Sequence, residues 1–145
     1  MSALDAAQAA FLVVHQRLYE ATGGRIGHRL IGVPTLLLRT TGRKTGLPRT
    51  SALVYAVDSG DYVVVASNGG SDTAPGWLAN VRGNRDVGLQ VARRTLRATA
   101  VVVERGDAEY ERLWRIVNAN NHARYDGYQA RTSRPIALVR LTPSP

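Results

Sequence analysis

The pattern of apolar residues changes along this chain: a helical spacing gives way to short apolar runs. Over residues 3–20, Leu4, Ala7, Phe11, Val14 and Leu18 fall at steps of three and four, which predicts one amphipathic helix. Thr22, Gly23 and Gly24 end it, and residues 25–32 form a basic connector. From Pro34 onward the apolar runs are short and rich in β-branched residues. Residues 34–39, 49–58, 61–66, 87–91, 96–103 and 136–141 read as strands. Ser59-Gly60 is a hairpin turn flanked by Asp58 and Asp61, and a second hairpin turns around Arg93-Arg94. Pro75 opens a short helix to Val81, where its missing N–H is not needed. Asp107 reads as the N-cap of a helix to Asn118, with Glu109 and Glu111 in the first turn and Leu113, Trp114 and Val117 facing inward. Residues 119–134 are polar and are expected to be irregular.

Short turns between consecutive strands imply antiparallel pairing. About six such strands, an N-terminal helix and two further helices predict a mainly β (α+β) fold, a small barrel or strongly bent sheet. The 145 residues amount to one domain's length, with no repeat or linker. The expectation is a single domain over 1–145, with a helix in 1–25 and the barrel over 33–143.

Composition narrows the class. With 44% hydrophobic and 21% charged residues the chain reads as globular. No apolar run approaches the roughly 18 residues of a membrane-spanning helix, and the N-terminus lacks the basic start of a secretory signal. There is no cysteine, hence no disulfide or thiolate chemistry. A cytoplasmic location is the default. The net charge of +8 favours an anionic ligand or partner. Almost all of the positive charge is arginine; Lys44 is the single lysine.

That lysine lies in Thr40-Thr41-Gly42-Arg43-Lys44-Thr45-Gly46. The spacing is not that of a nucleotide P-loop, and a strand follows rather than a helix. Two glycines let the backbone turn tightly, Arg43, Lys44 and Arg49 gather three cations, and Thr41 and Thr45 add hydroxyls. The set suits a phosphate or carboxylate. Ser67, Asn68, Gly69 and Gly70 end a strand in a turn whose amides can face an anion. Pro75, Gly76, Trp77 and Asn80 open the short helix, with Trp77 and Asn80 on one face. Tyr125 and Tyr128 share a face with His122, and a phenol there could donate a proton to a developing oxyanion. The histidines His15, His28 and His122 are scattered, no metal-ligand or hydrolase motif is present, and no Gly-x-Gly-x-x-Gly follows a strand.

In this order, LLLRTTGRKTGLPR at 36–49, ASNGG at 66–70, PGWLANV at 75–81 and YDGYQARTSR at 125–134 resemble the deazaflavin (F420)-dependent nitroreductase family. The resemblance spans about 34–143. It implies a split β-barrel, similar to that of flavin-binding pyridoxamine-phosphate oxidases, and an enzyme that passes a hydride from reduced coenzyme F420 to an electron-poor acceptor such as a quinone, enone or nitro compound. It implies that Arg43, Lys44, Thr45 and Arg49 grip the phosphate and oligoglutamate tail. Ser67, Asn68, Gly69 and Gly70 would approach the phosphate or ring, and Pro75, Gly76, Trp77 and Asn80 would line the groove. Tyr128, Tyr125 and Ser67 become, in that order, candidates for stabilising charge on the acceptor. Asn68 stands where better-known members carry a lysine, Gly76 and Leu78 where they carry bulkier residues, and His122 where one tyrosine would be. An FMN-binding split barrel is the alternative on the same fold. A basic nucleic-acid-binding barrel is an alternative of another class, disfavoured because the tyrosines cluster near 125–128 rather than along a strand. The partner is then a small-molecule hydride acceptor, the assembly a monomer or homodimer, and peripheral membrane contact through the N-terminal helix a further option.

Overall fold

A computed structural model describes residues 34–145, so the expectations for the N-terminal helix, the basic connector, His15 and His28 lie outside the described residues. Seven strands and three helices follow in chain order. They are β1 (Thr35–Thr41), β2 (Pro48–Val54), β3 (Ala56–Asp58), β4 (Asp61–Val65), α1 (Gly76–Gly83), β5 (Asp86–Val91), β6 (Arg94–Val103), α2 (Tyr110–Ala119), α3 (Arg124–Ala130) and β7 (Leu138–Pro143). All pairings are antiparallel, and the strand order is β2-β1-β5-β6-β7-β4-β3.

The stretch read as one strand, 49–58, is two. Up to Val54 it pairs with β1, and from Ala56 it pairs with β4. The change of partner falls on Tyr55, whose N–H donates to the Pro34 carbonyl at 3.1 Å. The Asn120 side chain donates to the Tyr55 carbonyl at 2.6 Å, so the backbone leaving the ladder stays bonded. The two edge strands are therefore consecutive in sequence, and the sheet curls to bring them together. This is the mainly β split barrel the sequence predicts.

Alternation along the strands sorts side chains to the two faces. Leu36, Leu38, Val64, Leu89, Ala100 and Leu141 point inward, where Trp77, Leu78 and Val81 of α1 plug the curl. Val63, Val65, Val103 and Leu138 point outward from the other half of the sheet, and Leu113, Val117 and Tyr125 of α2 and α3 cover them.

Three sequence expectations are corrected. Residues 119–134 are not irregular throughout: α3 makes three helices beyond the N-terminal one rather than two. Its polar sequence, with Gly127, has little helical signal; Asn118 Oδ1 accepts the Asp126 N–H at 3.1 Å and Tyr125 is anchored in the core. Asp107 does not cap α2, which starts at Tyr110 after Glu109. Its carboxylate instead accepts the Glu104 N–H at 2.7 Å and closes the preceding turn. The second hairpin turns at Ala92-Arg93, Ala92 having φ +52°, and Arg94 already belongs to β6.

Asp58 and Asp61 do more than flank a turn. Arg140 of β7 contacts Asp58 Oδ2 at 2.8 Å, Asp61 Oδ2 at 2.8 Å and Glu109 Oε2 at 3.0 Å. Arg112 of α2 adds a 2.8 Å contact to Asp58 Oδ1. Hydrogen bonds from Arg112 and Arg140 hold the Asp58 carboxyl down at about 2. A carboxyl depressed in the folded state stabilises above its unfolded pKa and loses that contribution as pH falls through the folded value. Asp58→Asn should therefore lower Tm at pH 7, and the gap to wild type should close between about pH 4 and pH 2. Thermal unfolding followed by circular dichroism at both ends checks this; an unchanged gap would show that the cluster contributes nothing through charge.

Candidate cofactor site

β1 runs straight into the turn at 42–47, which is held by its own backbone. Gly42 N–H donates to Leu47 O at 2.8 Å and Gly46 N–H donates to Gly42 O at 2.8 Å. The Thr45 hydroxyl oxygen accepts the Leu47 N–H at 3.2 Å. A Cβ on Gly42 would stand 2.8 Å from that hydroxyl, and Gly46 has φ +71°. Both glycines are thus dictated by the turn itself.

Asn80 fixes where the turn sits. It is only 6% exposed, on the inner side of α1. Its Oδ1 accepts from the Arg43 backbone N–H at 3.1 Å and from Arg43 Nη1 at 3.3 Å, and its Nδ2 donates to Thr40 Oγ1 at 3.1 Å. Arg43 Nη1 also reaches Gly76 O at 3.5 Å. Strand end, cationic turn and helix are joined at one amide. Arg43, Lys44, Thr45 and Arg49 are exposed. Among the described residues no carboxylate pairs with these three cations, although Arg82, Arg112 and Arg140 all have acidic partners.

Ser67 to Gly70, the second stretch expected to meet the cofactor, follow β4. Asn68–Gly70 is a single 3-10 turn, and its close approach is to α3. A Cβ on Gly70 would lie 2.8 Å from Tyr128 O, and Gly70 has φ +85°. The Asn68 amide donates to Thr73 O at 2.9 Å within its own loop. Arg134 holds the loop from beneath, donating to Ala66 O at 3.2 Å, Ser67 O at 2.8 Å and Ser71 O at 2.8 Å. Arg131 Nη1 reaches Gly69 O at 3.3 Å. Burial lowers the Arg134 pKa, which Asp72 partly offsets.

The tyrosines separate. Tyr125 is 5% exposed and packs with α2, and burial raises its pKa far above the ordinary phenol range. It meets the Tyr128 ring edge-on at 6.1 Å. Tyr128 is half-buried, with the Arg131 guanidinium 5.9 Å from its ring centre. Trp77 is in the core at 7% exposure, so its ring packs the barrel. Pro75 is extended just before α1, and Gly76 is open: nothing lies within 4 Å of a Cβ built there. His122 is exposed.

Sequence reasoning missed Thr40, Arg131 and Arg134. In so arginine-rich a chain nothing distinguishes Arg134 from a solvated cation, and its role depends on contacts across more than sixty positions. Among the described residues no cluster of His, Asp or Glu could hold a metal ion. A cleft of about 460 Å³ lies elsewhere, between α2 and α3, lined by residues such as Arg105, Trp114, Asp126 and Gln129. Its polar groups already satisfy one another, Trp114 Nε1 donating to Asp126 Oδ1 and Arg105 to Gln129 Oε1.

The site is thus a cationic turn, with no carboxylate partner among the described residues, docked on the helix that plugs a curled antiparallel barrel. The model of the F420H(2)-dependent quinone reductase family matches residues 12–143, and the chain belongs to that family. An F420H(2)-dependent quinone reductase of Mycobacterium tuberculosis H37Rv is 51% identical over 132 residues, 90% of this chain and 89% of the relative. Among solved structures, an F420-H2 dependent reductase is 33% identical with a TM-score of 0.67, over 74% of this chain and 93% of that one. A domain-swapped dimer is 28% identical with a TM-score of 0.69, over 92% of this chain and 98% of that one.

Asn80→Ala would leave the buried Thr40 hydroxyl and Arg43 N–H without their partner. The expected loss of stability is about 1–3 kcal/mol, read from urea denaturation. Gly70→Ala should also destabilise, since the new methyl meets α3 backbone at a positive φ. Wild-type stability in either variant would show that the loops are held by other contacts.

Proposed function

We propose that this chain transfers a hydride from reduced F420 to a quinone, with Arg43, Lys44 and Arg49 binding the cofactor's phosphate and carboxylate groups. The observation that carries the reading is the cationic turn: three exposed cations with no carboxylate partner among the described residues, on a turn bonded in advance. Such a turn fits a polyanionic tail, because little ordering remains to be done on binding. Family membership favours F420 over FMN. The relatives' named acceptor favours a quinone over an enone or nitro compound.

When bound, the reduced deazaflavin supplies two electrons as hydride. The protein then has to orient, exclude water and manage one proton. Converting a quinone to its hydroquinone takes two electrons and two protons, so one proton must come from elsewhere. Charge developing on the acceptor oxygen needs a donor close by. We assign that role to Tyr128, which is half-buried beside the loop at 67–70 and whose Arg131 neighbour favours charge nearby. Tyr125 serves as its packing support, because a phenol deep in the core is poorly placed to meet a substrate. Ser67 is the second donor candidate; its carbonyl is already held by Arg134. Asn80 positions Arg43 rather than touching the ligand, and Gly70 seats the loop against α3. The domain-swapped relative supports a homodimer, which sedimentation would read directly.

Lys44→Ala should weaken F420 binding about tenfold or more, one charge-assisted bond being worth about 1.5–3 kcal/mol. Affinity for the wild-type protein should fall as salt rises. Fluorescence titration with F420, and with FMN in parallel, measures both; FMN binding alone would move the protein to the flavin branch. Tyr128→Phe should lower kcat for a soluble quinone while leaving F420 affinity unchanged. An unchanged rate would remove Tyr128 from proton donation.

A further inference from the structure

All three guanidinium nitrogens of Arg134 donate to backbone carbonyls of one loop. Nε meets Ser71 O at 2.8 Å, Nη1 meets Ala66 O at 3.2 Å and Nη2 meets Ser67 O at 2.8 Å. The remaining carbonyls of the loop are engaged as well. Ser67 O takes a second bond from the Gly70 N–H at 2.9 Å, and Asn68 O accepts the Ser71 N–H at 3.1 Å. Gly69 O accepts Arg131 Nη1 at 3.3 Å. Every carbonyl from Ala66 to Gly69 is thus occupied. The donors show the reverse: the N–H groups of Ser67, Asn68 and Gly69 make no hydrogen bond to a described residue. Backbone donors and acceptors are ordinarily both satisfied, so a loop with its acceptors filled and its donors open is shaped to meet an acceptor from outside.

The direction of those donors follows from peptide geometry. In a trans peptide the N–H points opposite to the C=O in the same plane, and no described peptide is cis. Arg134 holds the carbonyls of Ala66 and Ser67, so the N–H groups of Ser67 and Asn68 point away from it. Ser67 has right-handed backbone (φ −80°, ψ −34°), whereas Asn68 and Gly69 have φ +45° and +64°. A change from right- to left-handed backbone gathers successive N–H groups around one concavity that favours an anion. We propose that Arg134 is a positioning residue for the cofactor: it holds the carbonyls of Ala66, Ser67 and Ser71 on one side and so presents the N–H groups of Ser67, Asn68 and Gly69, on the other, to an anionic oxygen of bound F420. This rests on the reading that F420 is the cofactor, and adds a residue that acts without touching it. Two effects combine. An N–H whose peptide carbonyl is bonded to a cation is the stronger donor, because hydrogen bonds in series polarise one another. The donors are also fixed before the ligand arrives, so little reorganisation accompanies binding. Three carbonyls spread over six residues need the planar fork of arginine; the single ammonium of lysine cannot hold them in the same way.

An NMR titration of the isotope-labelled, full-length protein with F420 tests this, with fluorescence titration alongside to read affinity. In the wild type the amide protons of Ser67, Asn68 and Gly69 should move downfield as F420 saturates. Arg134→Gln should remove most of that movement and weaken F420 about tenfold. Ethylguanidinium chloride added to Arg134→Ala should restore part of both effects, and sodium chloride at the same ionic strength should not. Amides 67–69 that stay in place while fluorescence shows F420 bound to the wild type would overturn the inference and leave the cofactor reading standing. Wild-type shifts and affinity in Arg134→Gln would overturn it equally. A wild type that binds no F420 would bring down the cofactor reading, and this inference with it. Should the Gln and Ala variants fail to fold, Arg134→Lys carries the comparison, since it keeps the charge and loses the fork. Its amide shifts at 67–69 should fall well below those of the wild type, and undiminished shifts would overturn the proposal.

Discussion

The buried Asn80 side chain is the contact on which the candidate site depends. An exposed turn rich in cations is unfavourable to hold still, because like charges repel and the side chains lose freedom. Here one amide accepts two hydrogen bonds from Arg43, backbone and guanidinium, and donates a third to Thr40 at the strand end beneath. The amide can do this only because α1 plugs the curl of the sheet. Trp77, Leu78 and Val81 fill the interior and bring Asn80 against β1. Packing thus sets position, and the polar contact converts position into a fixed cationic rim.

The same logic recurs at the second loop with opposite chemistry. There the backbone carbonyls of Ala66, Ser67 and Ser71 are gathered by Arg134, and α3 packs on Gly70 without room for a side chain. Each of the two loops thus has a shape set by a buried or half-buried polar side chain, Asn80 for one and Arg134 for the other. Orientation of this kind is the main task left to a protein whose cofactor carries the redox chemistry.

How much of this could be read beforehand differs by element. The strands were legible because short apolar runs such as Leu36-Leu37-Leu38 and Val63-Val64-Val65 stand between turn residues. The cationic turn was legible because Gly42, Lys44 and Gly46 stand close together in a chain otherwise without lysine. The bend at Tyr55 was not, since nothing local separates Val54 from Ala56; only their different partners do. Helix α3 escaped notice because its stability comes from Asn118 and from burial of Tyr125, both tertiary effects that override weak propensity. Tyr128 was placed ahead of Tyr125 as a donor candidate, but nothing in the sequence showed that Tyr125 is buried and Tyr128 only half-buried. Arg134 could not be singled out, because its three carbonyl partners lie more than sixty positions away.

Lys44 has a consequence for the chemistry of the whole surface. It is exposed, and it is the only side-chain amine in the 145 residues. Acetylation, glycation or any acylating reagent that enters through a lysine can therefore act on the body of this protein at one place only. That place is the rim proposed to hold the cofactor's negative charge. A modification that would be one neutralised charge among many on an ordinary protein would here fall directly on cofactor retention.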